Sequence, residues 1–137
     1  MELVVDSSLA LAWVLPDETS TRADRLLDRV STHDVLWVPA LWWYEIANAL
    51  MMAQRRRRIS ETDRLALIDL YERLPIHTDA HLIGHTIQQI QSLGLIHRLS
   101  AYDAAYLELA LRKELAFATL DKVLLKAAKD AGLDTAV

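Results

Sequence analysis

The chain has 137 residues, 53 % apolar and 25 % charged, which is the make-up of one folded domain and excludes a disordered segment. With no cysteine it has no disulfide framework, no thiol nucleophile and no Cys-based zinc site. The formal net charge of −4, from 19 acids against 15 Lys and Arg, argues against bulk positive charge as a grip on nucleic acid, although four acids neutralised by bound metal would balance the count.

In chain order, Glu2–Val5 reads as a strand, and Ser7–Leu15 as a short helix stopped by Pro16. Ser20–Ser31 carries Ala23, Leu26, Leu27 and Val30 at helical spacing. Val35–Val38 is a β-branched and aromatic run closed by Pro39. Leu41 to about Arg56 is a helix, and Thr62–Arg73 is another with Ser60 as its cap. Pro75–His77 is a minimal strand, and Asp79–Leu93 a helix ended by Gly94. Ala101–Lys113 is a helix apolar on most sides, and Leu115–Ala118 a strand. Lys122–Ala131 is a helix ended by Gly132, and Asp134–Val137 a short last strand. No run approaches the roughly 20 apolar residues of a membrane span, and the N-terminus lacks the basic lead of a signal peptide. The expectation is a single cytoplasmic α/β domain over residues 1–137, with a central parallel sheet and helices on both faces.

Four carboxylates stand at unusual places in this order: Asp6, Glu45, Asp103 and Asp121. Asp6 and Asp121 follow strands. Glu45 and Asp103 lie in the first turns of helices that should begin at the same sheet edge. Ligands of open α/β sheets bind beyond the carboxyl ends of the strands, so the four are expected to form one acidic pocket there.

Each acid also has a bland reading. Asp6-Ser7-Ser8 and Asp121-Lys122 both fit helix caps, and Ser100-Ala101-Tyr102-Asp103 fits a capping box. Glu45 is the hardest to explain so. Its helical neighbours are Leu41, Ala49 and Met52, so it interrupts an apolar face. Asp103 points roughly opposite Arg112, which the helical phase puts on the wet side with Glu108. No Lys or Arg is placed to pair with Glu45 or Asp103, and an unpaired buried charge costs several kcal/mol. Clustered carboxylates repel unless a cation holds them, and oxygen donors select hard ions such as Mg²⁺ or Mn²⁺. A pocket of this kind suits phosphodiester hydrolysis.

These residues resemble a known family. Val4-Val5-Asp6-Ser7-Ser8, then Pro39 with Tyr44-Glu45-Ile46-Ala47-Asn48-Ala49-Leu50, then Leu99-Ser100-Ala101-Tyr102-Asp103-Ala104-Ala105-Tyr106-Leu107, then Ala118-Thr119-Leu120-Asp121-Lys122 together resemble the PIN-domain ribonucleases. The likeness is specifically to the VapC toxins of prokaryotic toxin–antitoxin pairs. It spans essentially the whole chain. It implies a PIN-like three-layer α/β/α domain and a divalent-metal endoribonuclease. Asp6, Glu45, Asp103 and Asp121 would be its metal-binding catalytic acids, using Mg²⁺ or Mn²⁺. Ser7, Asn48, Ser100 and Thr119 would orient carboxylates or waters around them. The resemblance further implies an RNA substrate, a small antitoxin partner and a homodimer.

Other features are more ambiguous. Arg55–Arg58 ends a helix, where cations are favourable; Arg55 and Arg56 could instead hold RNA phosphates, as could Lys122 at the head of the Lys122, Lys126, Lys129 stripe. His81 and His85 have the spacing of a zinc pair on a helix but no third ligand. Trp13, Trp42 and Trp43 read as core, with a dimer or antitoxin interface as the other possibility. A Mg²⁺-binding phosphoacceptor signalling domain fits less well, because Ser7 follows Asp6 and the second strand ends at Val38-Pro39. A catalytically silent PIN-type binding module is opposed by the complete acid set.

Overall fold

The computed structural model describes residues 1–137. Its elements are β1 (Glu2–Val5), α1 (Ser7–Ala12), α2 (Thr21–Arg29), β2 (Val35–Pro39), α3 (Ala40–Arg55) and α4 (Glu61–Arg73). They continue with β3 (Ile76–Asp79), α5 (Gly84–His97), α6 (Ala101–Lys113), β4 (Ala116–Ala118) and α7 (Lys122–Asp130). The strands form one parallel sheet in the order β3-β2-β1-β4. No helix is long and apolar enough to cross a membrane.

β1 is central because its Leu3-Val4-Val5 run is buried on both sides, the pattern of a strand covered on two faces. Alternation along it divides the core. Val4 packs with Val38, Trp42, Ile46, Leu107 and Phe117 on one face. Leu3 and Val5 pack with Leu9, Leu26, Leu36 and Ala118 on the other. The three-layer α/β/α arrangement expected from the sequence is thus the observed one.

The tryptophans are used internally. Trp42 is fully buried, edge-on to Trp43 and Tyr71. Trp13 donates to the Ala23 carbonyl, and Trp43 to the Thr78 hydroxyl, both at 2.8 Å. Tyr71 closes this face by donating to the Ala10 carbonyl at 2.7 Å.

Several boundaries differ from the sequence reading. Helix α1 ends at Ala12, three residues before the expected stop. Asp79 belongs to β3, paired in register with Pro39, so α5 starts only at Gly84. His81 therefore precedes the helix and shares no face of it with His85, which removes the basis for a zinc pair. Gly94 does not end α5. It sits inside the helix, where a Cβ would come within 3.1 Å of the Leu99 carbonyl oxygen. The helix stops instead at Arg98, whose backbone is left-handed. The expected last strand shrinks to a single parallel bridge between Phe117 and Thr135.

Glu108 corrects the helical-phase argument. It is buried, not wet, and accepts from Arg112 Nε at 2.7 Å. Arg112 forks onward to Asp79 at 3.2 and 2.7 Å, tying α6 to the end of β3. The phase was right in placing Glu108 and Arg112 together one turn apart, but α5 packs over that side of α6.

Arg57, Arg98 and Glu114 hold φ values of 58°, 55° and 56° just past the ends of α3, α5 and α6. A side chain in that left-handed region costs roughly 1–2 kcal/mol, which glycine avoids at some cost in chain entropy. Glu114 is exposed and makes no side-chain hydrogen bond in this structure. Glu114→Gly is therefore expected to raise stability by about 0.5–1 kcal/mol, read as a higher urea midpoint at unchanged slope. A lower midpoint would contradict the strain assigned to this cap.

Candidate metal centre

The C-terminal edge of the sheet gathers the four acids from four different connections. Asp6 directly follows β1, and its backbone N–H still pairs with the Ala118 carbonyl at 3.1 Å. Glu45 lies in the second turn of α3, which starts immediately after β2. Asp103 lies in the first turn of α6, which runs back to the opposite edge before β4. Asp121 caps α7, three residues beyond β4.

Asp6 is only 4 % exposed and densely bonded. Oδ1 accepts from the Ser8 hydroxyl at 2.7 Å and from the Leu9 N–H at 3.1 Å. Oδ2 accepts from the Thr119 hydroxyl at 2.6 Å. Burial pushes its pKa up to about 6, with those hydrogen bonds working the other way and the Asp121 charge adding to the rise. The same carboxylate is thus the cap of α1 and a member of the cluster. Asp121 is likewise both, since its side chain accepts from the Leu124 N–H at 2.9 Å.

Asp103 settles differently. Ser100 accepts from the Asp103 N–H at 3.1 Å, but no reciprocal bond from the Asp103 carboxylate is made, so half of the expected capping box is missing. The full box occurs instead at Ser60 and Asp63. The Asp103 carboxylate is left free, and it is raised by burial and then by the Asp121 charge. Glu45 accepts from the Tyr106 hydroxyl at 2.5 Å. Burial raises it, the Tyr106 bond lowers it, the Asp103 charge raises it and Ser7 lowers it slightly.

These influences link the acids in a chain, Asp6 to Asp121 to Asp103 to Glu45, and no Lys or Arg makes a salt bridge with any of them. A cavity of about 550 Å³ is lined by Leu41, Tyr44, Glu45, Asn48, Ser100, Tyr102 and Asp103. Asp6 and Asp121 are outside that lining and reach it through the Asp121–Asp103 pair. The carboxylates stand apart: no three acid or histidine side chains come together in a group that could hold a metal ion as they stand. Their donor chemistry is all oxygen with no cation beside it, the kind that would suit a hard cation keeping much of its water.

Of the expected supporting residues, Thr119 bonds Asp6 and also accepts from the Asp121 N–H at 3.0 Å. Ser7 acts on Glu45, while Asn48 and Ser100 line the cavity wall. Ser8 and Tyr106 were not singled out by the sequence, yet each contacts an acid directly. Tyr106 had a legible signal, since it sits three residues after Asp103 on the same helical side. Arg55 lines a different cleft, between α3 and α4, with Gln54 and Arg64. Arg58 is committed to Asp17 and Glu18.

Comparison with known proteins places the chain in a family. The PIN domain family model matches residues 3–130. Ribonuclease VapC3 of Pyrobaculum aerophilum is 30 % identical over 128 residues, covering 90 % of this chain and 92 % of that protein. Two solved structures share the fold. One is PAE2754 of Pyrobaculum aerophilum, with a TM-score of 0.70 at 22 % identity, over 99 % of this chain and 84 % of that one. The other is a toxin–antitoxin complex from Klebsiella pneumoniae, with a TM-score of 0.60 at 16 % identity, over 98 % of each chain.

A buried carboxylate with a raised pKa binds its proton more tightly folded than unfolded. Asp6 therefore adds stability at low pH that is lost as pH rises through about 6. Asp6→Asn keeps the cap and removes the buried charge. In EDTA, its stability relative to the parent should improve by about 2–3 kcal/mol between pH 4 and pH 7.5. Urea melts at the two pH values measure this, and an equal difference at both would refute the assigned burial cost. The architecture and the sequence match agree: the chain belongs to the PIN-domain family, in its VapC branch.

Proposed function

We propose that residues 1–137 act as a single PIN domain that hydrolyses RNA phosphodiester bonds with Mg²⁺ or Mn²⁺, as the toxin of a toxin–antitoxin pair. The observation that carries this reading is the chain of four carboxylates at one sheet edge, none of them ion-paired. The similarity to Ribonuclease VapC3 supplies the RNA. Likeness to a chain of a toxin–antitoxin complex supports a small antitoxin as partner. A homodimer and a cytoplasmic location, where such RNA is found, complete the reading.

In this reading Asp6, Glu45, Asp103 and Asp121 bind the cation and are the catalytic acids. When bound, the cation supplies an activated water and stabilises charge on the leaving oxygen. The protein's own task is to aim the carboxylates. Ser8, Thr119 and the Leu9 N–H fix both oxygens of Asp6. The Leu124 N–H fixes one oxygen of Asp121 and leaves the other open. Tyr106 fixes one oxygen of Glu45 in the same way. Ser7 lies where it lowers the Glu45 pKa, and Asn48 and Ser100 offer groups that can hold water on the cavity wall.

Lys122 follows Asp121 and is exposed, so it is placed to meet a phosphate near the acids. Arg55 and Arg56 lie ten or more residues beyond Glu45, about 15 Å along the helix. They can meet only a more distant part of the RNA strand.

RNA cleavage in Mg²⁺ or Mn²⁺ tests the assignment. Asp6→Ala and Asp103→Ala should each lower the rate by at least ~100-fold, the upper end of what losing an outer partner costs. Rates unchanged by both would sink it. Growth arrest on expression, relieved by either change, is the expected sign of a toxin. Tyr106→Phe keeps the buried ring beside Phe117 and removes the bond to Glu45. It should weaken Mn²⁺ binding by about 10-fold in calorimetry, and undiminished affinity would exclude the orienting role.

A further inference from the structure

Tyr44 and Tyr102 are 78 % and 70 % exposed, among the most open large side chains in the protein. Each directly precedes an acid of the cluster, Tyr44 before Glu45 on α3 and Tyr102 before Asp103 on α6. Both line the cavity that Glu45 and Asp103 share. Neither ring stacks on another aromatic residue, and neither hydroxyl hydrogen-bonds within the chain. They add nothing to the core, yet each keeps a wide apolar face in water beside two carboxylates.

The lining of that cavity holds two acids and no Lys or Arg. A polyanion drawn to it finds no side-chain cation among these residues, so contacts made within the cavity itself come from uncharged groups. Aromatic faces supply it for one chemical class above others. A nucleobase stacks on tyrosine whatever its sequence, for about 1–3 kcal/mol per base. The base must be unpaired and unstacked to do so, because in an RNA duplex both faces are occupied and the major-groove edges are inaccessible.

We propose that Tyr44 and Tyr102 form a nucleobase-stacking subsite that receives unpaired nucleotides flanking the phosphate held at the acids. This inference rests on the four-acid reading of the site and adds two side chains that hold the RNA beside it.

The test uses the full chain with Asp6→Asn, in which cleavage is suppressed, and measures binding in Mn²⁺ by fluorescence anisotropy. The probes are labelled short oligo(U), oligo(A) and the duplex they form together. Tyr44→Ala and Tyr102→Ala should each weaken single-strand binding roughly 5- to 150-fold, while the Phe variants retain it and duplex binding stays weak throughout. Both positions are exposed, so folding should be unaffected, with circular dichroism as the check. The proposal is overturned if the Ala variants bind single strands as tightly as the parent, or if the parent prefers the duplex. It is also overturned if the Phe variants lose as much as the Ala variants. If single-strand binding is unchanged while capture of a protein partner is lost, the rings serve that partner instead. Cleavage that persists in Asp6→Asn would fault the four-acid reading separately, since the stacking measurement does not depend on it.

Discussion

Asp6 is a carboxylate buried at the end of the central strand, and the structure around it is arranged to tolerate that charge. Two hydroxyls and a backbone N–H saturate much of its hydrogen-bonding capacity, and even so burial keeps its pKa near 6. A neutral cap would avoid this cost. What fixes it in place is the company it keeps. Thr119 joins Asp6 to the Asp121 backbone, and Ser8 accepts from the Leu120 N–H at 3.2 Å. The ends of β1 and β4 are therefore locked together through the Asp6 carboxylate. In the proposed reading, stability and chemistry would compete for this one residue, the kind of conflict between local and global preference found at functional sites.

The acids and the order of elements were legible because both rest on local pattern. Strand runs, helix spacing and a polar residue just past each strand need no knowledge of neighbours. Features that depended on tertiary context were not legible. Glu108 looks solvated from its own helix, and only the packing of α5 over α6 buries it against Arg112. Gly94 looks like a helix stop, but close approach of the Leu99 carbonyl explains the missing side chain there. The helix then ends on Arg98, a residue with no termination signal. At the site, the capping-box pattern at Ser100 offers an alternative in which Asp103 is spent on its own backbone. It is not, and this leaves the carboxylate available. Pattern alone could not separate the used box at Ser60 from the half-used one at Ser100.

Basic residues illustrate the same limit. Arg55–Arg58 reads in sequence as one cationic block, yet the fold disperses it. Arg58 pairs with Asp17 and Glu18, Arg57 turns the chain in a left-handed conformation, and Arg55 faces the cleft beside α4. What remains cannot act as a concentrated phosphate clamp at the acids. With a net charge of −4 as well, the block adds little positive charge beside the acids.

The pairing of a tyrosine with an acid on both α3 and α6 follows from helix geometry. Adjacent residues project about 100° apart, so a helix that points an acid into a site points the preceding residue to its flank. Polar residues would serve there if solubility were the only demand. Two large aromatic rings at equivalent flanking positions on two helices are instead the arrangement that lets a flexible strand be held by its bases while its phosphate is presented to the acids. The rings would then contribute to substrate affinity and leave the aim of the carboxylates to Tyr106, Ser8 and Thr119. Binding and catalysis would thus reside on different side chains of the same two helices and be separable by substitution.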